Sequence, residues 1–397
     1  VSQTRTPVDE TRPALGWGKV ILLGEHAVVH GKPAIAAGLP RGVRAWARPV
    51  DVGSAAGDGR SAAAGACPRA GAAAAGDAGG AGKAGDRLRV MPWGADVAPS
   101  SEEPASGDPA TERAWTRASE LGIIRDNASA HASLRRAFAV LLEALDVDRS
   151  VAGLPPRPAL SVEAEVALPG GAGLGCSAAL GVALVRALDA ATGTPRDEAG
   201  IIARSLAWER VFHGTPSGID NTVAVRGGLV WFQRREDGLH VEPLVPRTPL
   251  HLVVADTGLA GATRQTVASV QRQLERAPER TQKTLDAIES VVRNGRVAIE
   301  SGDLRGLGQL FDMNQWLLAS LFVSTPELEA LCADARRAGA LGAKLTGGGG
   351  GGCILALAED APHAERLAVA LRERAREAFV VTVGQAAGPG EGKGAGR

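Results

Sequence analysis

The chain lacks net charge, paired cysteines and any long apolar run. Among its 397 residues Lys plus Arg number 44 and Asp plus Glu number 44, so the formal net charge is zero. No overall basic field draws it to nucleic acid or an acidic membrane, and neither partner is expected. Nowhere does an uninterrupted apolar stretch of about 18 residues occur, so no membrane-spanning helix is expected. The opening stretch "VSQTRTPVDETRPALGW" has no apolar core of a secretory signal. Cys67, Cys176, Cys332 and Cys353 are scattered with no C-x-x-C pair. That disfavours a zinc site or a disulfide framework and points to a reducing, cytoplasmic setting.

Glycine, in contrast, is plentiful, at 52 residues. The length suffices for two or three domains. Residues 16–38 read as a strand, a tight connection and a second strand, with 43–50 as a third. From 51 to 86 the sequence falls to Ala, Gly, Ser and a few charges, too little apolar surface to offset ordering, and a disordered insertion is predicted. Strand character resumes at 87–93. Leu134, Phe138, Leu141, Leu142 and Leu145 recur at helical spacing. Residues 159–168 alternate like a half-buried strand, and helices are predicted over 178–188 and 198–212. Strands follow at 227–233, 239–244 and 250–257, and helices near 263–276, 280–300, 303–320 and 326–338. Two strands flank a glycine run at 344–358, before a last helix, the strand "FVVTVG" and a glycine-rich tail predicted to fray. Strands and helices mix without strict βα alternation, which predicts an α+β fold.

The first glycine cluster, "LPGGAGLGCSAA" (168–179), sits between a strand and a helix, where backbone N–H groups and the helix N-terminus suit a phosphate. It is not a Walker loop, since no Lys-Ser/Thr follows, and its glycines at 171, 173 and 175 do not spell a dinucleotide fingerprint. Alone, it reads equally as a tight turn with Ser177 as a helix cap. The second cluster, Gly347 to Gly352, is six glycines long. A turn needs one or two, and its apolar flanks argue against a linker, so the backbone there must pass close to something.

Lys19 lies in the apolar strand "GKVILLG", with Glu25 and His26 at its end. An edge lysine pointing to solvent is the plainer reading. His26 and His30 are four apart but lie in too short a segment for a helical metal pair. Glu209 falls in an amphipathic helix and Asp220 in the Pro/Gly turn "HGTPSGID". Together these residues offer a phosphate cradle, a cation and carboxylates for Mg²⁺ and base chemistry, the components of phosphoryl transfer without a Walker loop.

Four blocks resemble the GHMP small-molecule kinases: "GKVILLGEHAVVHGKPAIA" (18–36), "LPGGAGLGCSAA" (168–179), "WERVFHGTPSGIDN" (208–221) and "KLTGGGGGGC" (344–353). "FDMNQWLL" (311–318) is a weaker fifth. The resemblance implies an N-terminal ribosomal-S5-domain-2-like domain over 14–235, a ferredoxin-like C-terminal domain over 236–386, and a flexible tail over 387–397. Galactokinase-like members usually carry an acidic residue and a tyrosine after G-E-H, whereas this chain has "AVVHG" and no tyrosine. It resembles the members that use ATP and Mg²⁺ to phosphorylate mevalonate in isoprenoid-precursor synthesis. By that resemblance Gly171, Ala172, Gly173, Leu174, Gly175, Cys176 and Ser177 wrap the ATP phosphates, and Ser177 and Glu209 hold Mg²⁺. Asp220 accepts the substrate hydroxyl proton, and Lys19 beside it stabilises charge on the transferring group. Glu25, His26, Thr263, Gly348 and Gly349 would face mevalonate.

The departures are Cys176 where serine is usual, Gly170 for a frequent proline, and Gly348 for an alanine, the last read as a small change. The rivals are a kinase for another small alcohol or another hydroxyl of mevalonate, and a silent ligand sensor, whose mark would be loss of Lys19, Glu209 or Asp220. The oligomeric state stays open, a homodimer being one option.

Overall fold

The computed structural model of the protein describes residues 12–50, 85–91, 95–99, 127–213, 216 and 218–384, with side chains from 131 onward in the segment that starts at 127. Most of the low-complexity insertion, with Cys67, lies outside the described residues, as do 214, 215 and 217 of the "HGTPSGID" turn and the tail.

The N-terminal sheet is built around one long strand. β1 (Ala14–Leu23) runs antiparallel to β2 (Ala34–Pro49), with a short 3₁₀ turn, Ala27–His30, between them. The two strands expected over this stretch of β2 are one. A register shift between Trp17 and Gly18 passes over Pro40 and Arg41, so pairing with β1 resumes on both sides of them. A bulge thus absorbs the proline that reads as a break in the sequence. β1 lines one edge of β2. On its other edge β2 pairs with β6 (Leu229–Arg235) through Ala34–Ala37, and with β5 (Leu160–Val166) through Val43–Pro49. β3 (Arg87–Met91) joins β5 in parallel, and β4 (Ala95–Val97) and β7 (Gly238–Leu244) complete the seven strands.

Four helices serve this sheet: α1 (Asn127–Val151), α2 (Cys176–Thr192), α3 (Glu198–His213) and α4 (Ile219–Arg226). The apolar face read from the sequence of α1 is buried throughout, and β5 alternates with Leu160, Val162, Ala164 and Val166 inward. α2 has almost every residue from Ala178 to Leu188 buried, as befits a helix apolar all round. α4 was expected as a turn. Its eight residues are rich in β-branched side chains, and it is held by packing: Ile219 and Val223 bury against Val28, Ala34, Ala36 and Phe232.

The second sheet has four antiparallel strands in the order β11 (Glu377–Val383), β8 (Leu250–Asp256), β10 (Cys353–Ala358), β9 (Gly342–Thr346). In chain order that is fourth, first, third, second, the arrangement of a split βαβ or ferredoxin-like unit. α5 (Thr263–Arg276), α6 (Pro278–Ser301), α7 (Leu304–Ser320) and α8 (Pro326–Arg337) lie between β8 and β9, and α9 (Ala361–Leu371) precedes β11. The α+β expectation holds. Because β7 pairs with β6, the sheets divide between Leu244 and Leu250, later in the chain than the boundary at 235. One apolar core runs through both sheets.

Candidate active site

The first glycine loop leaves β5 and enters α2. Gly171, Gly173 and Gly175 have φ of 69°, 76° and 71°, so left-handed residues alternate through the loop. Such alternation turns successive N–H groups toward a common concavity, a nest for anions, next to the positive end of α2. Two backbone bonds fix it: Lys19 N donates to Leu174 O at 2.8 Å, and Gly261 N to Gly171 O at 3.1 Å. A Cβ on Gly175 would stand 3.1 Å from the Lys19 Cβ, so the loop lies directly on β1 at that lysine.

Lys19 does not point to solvent. It is buried, and its Nζ lies 2.9 Å from Asp220 Oδ1. α4 supplies Asp220 from its first turn, where a carboxylate also complements the helix dipole. The Asp220 side chain is 37 % exposed against 6 % for Lys19. A cation fixed from behind and a carboxylate open in front is the arrangement proton transfer to an incoming group requires.

Across the loop, Ser177 Oγ donates to Glu209 Oε1 at 2.5 Å, and the Trp208 indole N–H donates to Ser177 O at 3.1 Å. Glu209 is buried, which pushes its carboxyl up to about 7; the Ser177 hydrogen bond opposes the rise and the Asp220 charge adds to it. A buried carboxylate beside a hydroxyl and a second carboxylate is a set of hard oxygen donors short of positive charge, and it suits Mg²⁺. Among the described residues no group of three His, Cys, Asp or Glu forms a metal cage of protein alone. His213, not singled out from sequence, places Nε2 3.6 Å from Glu209 Oε2 at the end of α3. The half-buried Cys176 thiol is pushed up to about 12 by burial and then by the Glu209 charge, so it is a neutral thiol there.

The second glycine run meets this site from the other domain. A Cβ on Gly352 would lie 3.0 Å from Ala172 O, so the two glycine loops touch. His26 Nε2 lies 2.9 Å from Gly348 O. Burial lowers the His26 imidazole to about 4, with the Gly348 carbonyl opposing, so the ring is neutral and donates to that oxygen. Thr263 opens α5, and a Cβ on Gly348 would stand 2.5 Å from its Oγ1 and 2.7 Å from its Cα. Glycine for alanine at 348 is therefore no small change in this chain. Gly349 is equally crowded: a Cβ there would collide with Val323 O.

His26, Thr263, Gly348 and Gly349 thus come together, and Glu25 does not join them. Its carboxylate is fully enclosed, paired with Lys344 Nζ and accepting from Asn314 Nδ2 at 2.9 Å. The expectation that Glu25 faces the substrate is corrected on that point. Lys344 and Asn314 escaped the sequence reading, although Lys344 sits in an apolar strand as Lys19 does.

The pattern described as GHMP kinases N terminal domain matches residues 133–228, and that described as GHMP kinases C terminal matches 296–377. A mevalonate kinase of Aeropyrum pernix is 31 % identical over 93 % of this chain and 94 % of its own. One from Thermococcus gammatolerans is 32 % identical over 86 % and 87 %. The crystal structure of L. major mevalonate kinase in complex with R-mevalonate superposes with a TM-score of 0.68, at 26 % identity, covering 96 % of this chain and 98 % of that one. The chain belongs to the GHMP kinase family. Within that family it is one of the mevalonate kinases.

Proposed function

We propose that the protein transfers the γ-phosphoryl group of ATP to the C5 hydroxyl of mevalonate. The observation that carries the reading is the Lys19–Asp220 pair, set directly on the phosphate-type loop by the Lys19 N–H to Leu174 carbonyl bond. Asp220 takes the proton of the hydroxyl as its oxygen bonds to the γ-phosphorus and the bond to the β-phosphate oxygen breaks, releasing ADP. Lys19 Nζ, anchored on Asp220, stabilises charge in the transferring group without having to move. Gly171 through Ser177 present backbone N–H groups to the phosphates. Glu209 and Ser177 would hold Mg²⁺, which when bound with the nucleotide neutralises phosphate charge.

On the acceptor side, His26, Thr263, Gly348 and Gly349 orient mevalonate. The α5 N-terminus at Thr263 has the sign to receive a carboxylate. A silent sensor is disfavoured because Lys19, Glu209 and Asp220 are all retained. No helix among the described residues is long and apolar enough to cross a membrane, and a cytoplasmic enzyme is the setting this reading takes.

The test is ADP release with Mg-ATP and, in turn, mevalonate, phosphomevalonate, galactose, homoserine or no acceptor, the product's phosphate being located by NMR. ADP formed with mevalonate alone, and phosphate on C5, is expected. Turnover only on another alcohol would keep the fold and discard the substrate.

A further inference from the structure

The reaction as derived does not use one wholly buried ion pair of the described structure, Lys344 with Glu25. Lys344 and Glu25 each have wholly inaccessible side chains, and they come from different domains: Glu25 follows β1 and Lys344 lies in β9. Lys344 Nζ also donates to Leu345 O at 2.5 Å and lies 5.9 Å from the centre of the Phe311 ring. Asn314, from α7, holds the second Glu25 oxygen. Burial raises the Glu25 carboxyl and lowers the Lys344 ammonium, each partner opposing the shift of the other.

The placement of this pair sets it apart from ordinary core. The residue after Glu25 is His26, one of two described non-glycine residues with positive φ, at 61°; Gly24 before it has φ 103°. A segment with left-handed residues on both sides of Glu25 keeps its shape only where the surroundings impose it. Along β9 and the start of the glycine run, every second residue from 344 to 348 reaches across. Lys344 meets Glu25. Thr346 Oγ1 accepts from Ile21 N at 2.9 Å and donates to Ile21 O at 3.0 Å. Gly348 O receives His26. Adjacent residues 25 and 26 are thus pinned to 344 and 348, the imidazole through its Nε2.

We propose that Lys344 is a positioning residue for the acceptor: through Glu25, with Asn314 supporting, it fixes the turn that presents His26 against Gly348 and so governs acceptor binding and not nucleotide binding. The kinetic side rests on mevalonate as acceptor; the positioning side does not. The experiment compares full-length wild type with Lys344→Met, measuring KM for mevalonate and ATP, kcat, and the ¹⁵N spectrum of the histidine rings with the His26 signal assigned by its loss in His26→Gln. Lys344→Met is expected to shift the His26 Nε2 signal and raise KM for mevalonate about tenfold while moving KM for ATP less than about twofold. An unchanged His26 signal, or activity that falls only with the folded fraction while both KM values hold, overturns the proposal. Where Lys344→Met does not fold, Glu25→Gln/Lys344→Met, which removes both charges together, is read in the same way. A wild type inactive on mevalonate would sink the acceptor assignment, and the His26 spectrum would still decide the positioning role.

Discussion

Two buried lysines in apolar strands meet carboxylates in this molecule, and they differ in what lies beyond the carboxylate. Lys19 holds an Asp220 whose side chain is 37 % exposed, while Lys344 holds a Glu25 with none exposed. In the proposed reaction the open pair receives the incoming hydroxyl. The closed one has no access to anything but protein, so it can act only through geometry. The same two functional groups serve chemistry or architecture according to whether one face stays open.

The comparison breaks most sharply on kcat. Asp220→Asn should lower kcat by about 10²- to 10⁴-fold with ATP affinity nearly unchanged, read by ADP release and nucleotide titration. Unchanged turnover would remove Asp220 from its assigned role. The next effect is on stability and falls on the other pair. Glu25→Gln leaves Lys344 as an unpartnered buried charge and should cost about 3 kcal/mol in urea unfolding. Asp220→Asn, at a part-exposed pair screened by solvent, should cost less than about 1 kcal/mol. Equal losses would erase the distinction.

Smaller again is Gly348→Ala. Its Cβ must displace Thr263, an overpacking of about 1 to 3 kcal/mol, expected as a several-fold rise in KM for mevalonate with ATP unaffected. The last test is on pH dependence. The His26 ring titrates near 4 in the folded chain against 6.5 when free, so the unfolded chain binds the extra proton between those values. Stability from this group is full above about 6.5 and is lost as pH falls toward 4. Stability curves of wild type and His26→Gln should therefore converge with acidification across that window.

Much of this was legible in the sequence where local pattern and tertiary demand agree. The helix face of Leu134 to Leu145 and the alternation of β5 are both periodicities that packing merely uses. The alternate glycines at 171, 173 and 175 read correctly as a loop short of side chains, and their φ values give the reason. What misled were places where long-range pairing overrides local signals. Pro40 and Gly42 look like a break, yet the β1 register carries β2 through them. The residues of α4 lack helical propensity, and a packed neighbour supplies the stability. Glu25 and Lys344 are 319 residues apart, and nothing local at either announces the other. A lysine within an apolar strand was a signal at position 344 as at 19, and it was this lysine, the partner of an already noted Glu25, that went unread.

The pairing of Glu25 with Lys344 bears on modularity. A chain cut between the two sheets would leave a carboxylate in the first half and an ammonium in the second, each without the partner it meets in the intact protein. The halves are thus poor candidates for separate expression or for exchange with halves of relatives, however cleanly the sheets divide after Leu244. The seam in the polypeptide and the seam in the charge lie in different places, and inheritance of this fold has to carry both ends of the chain together.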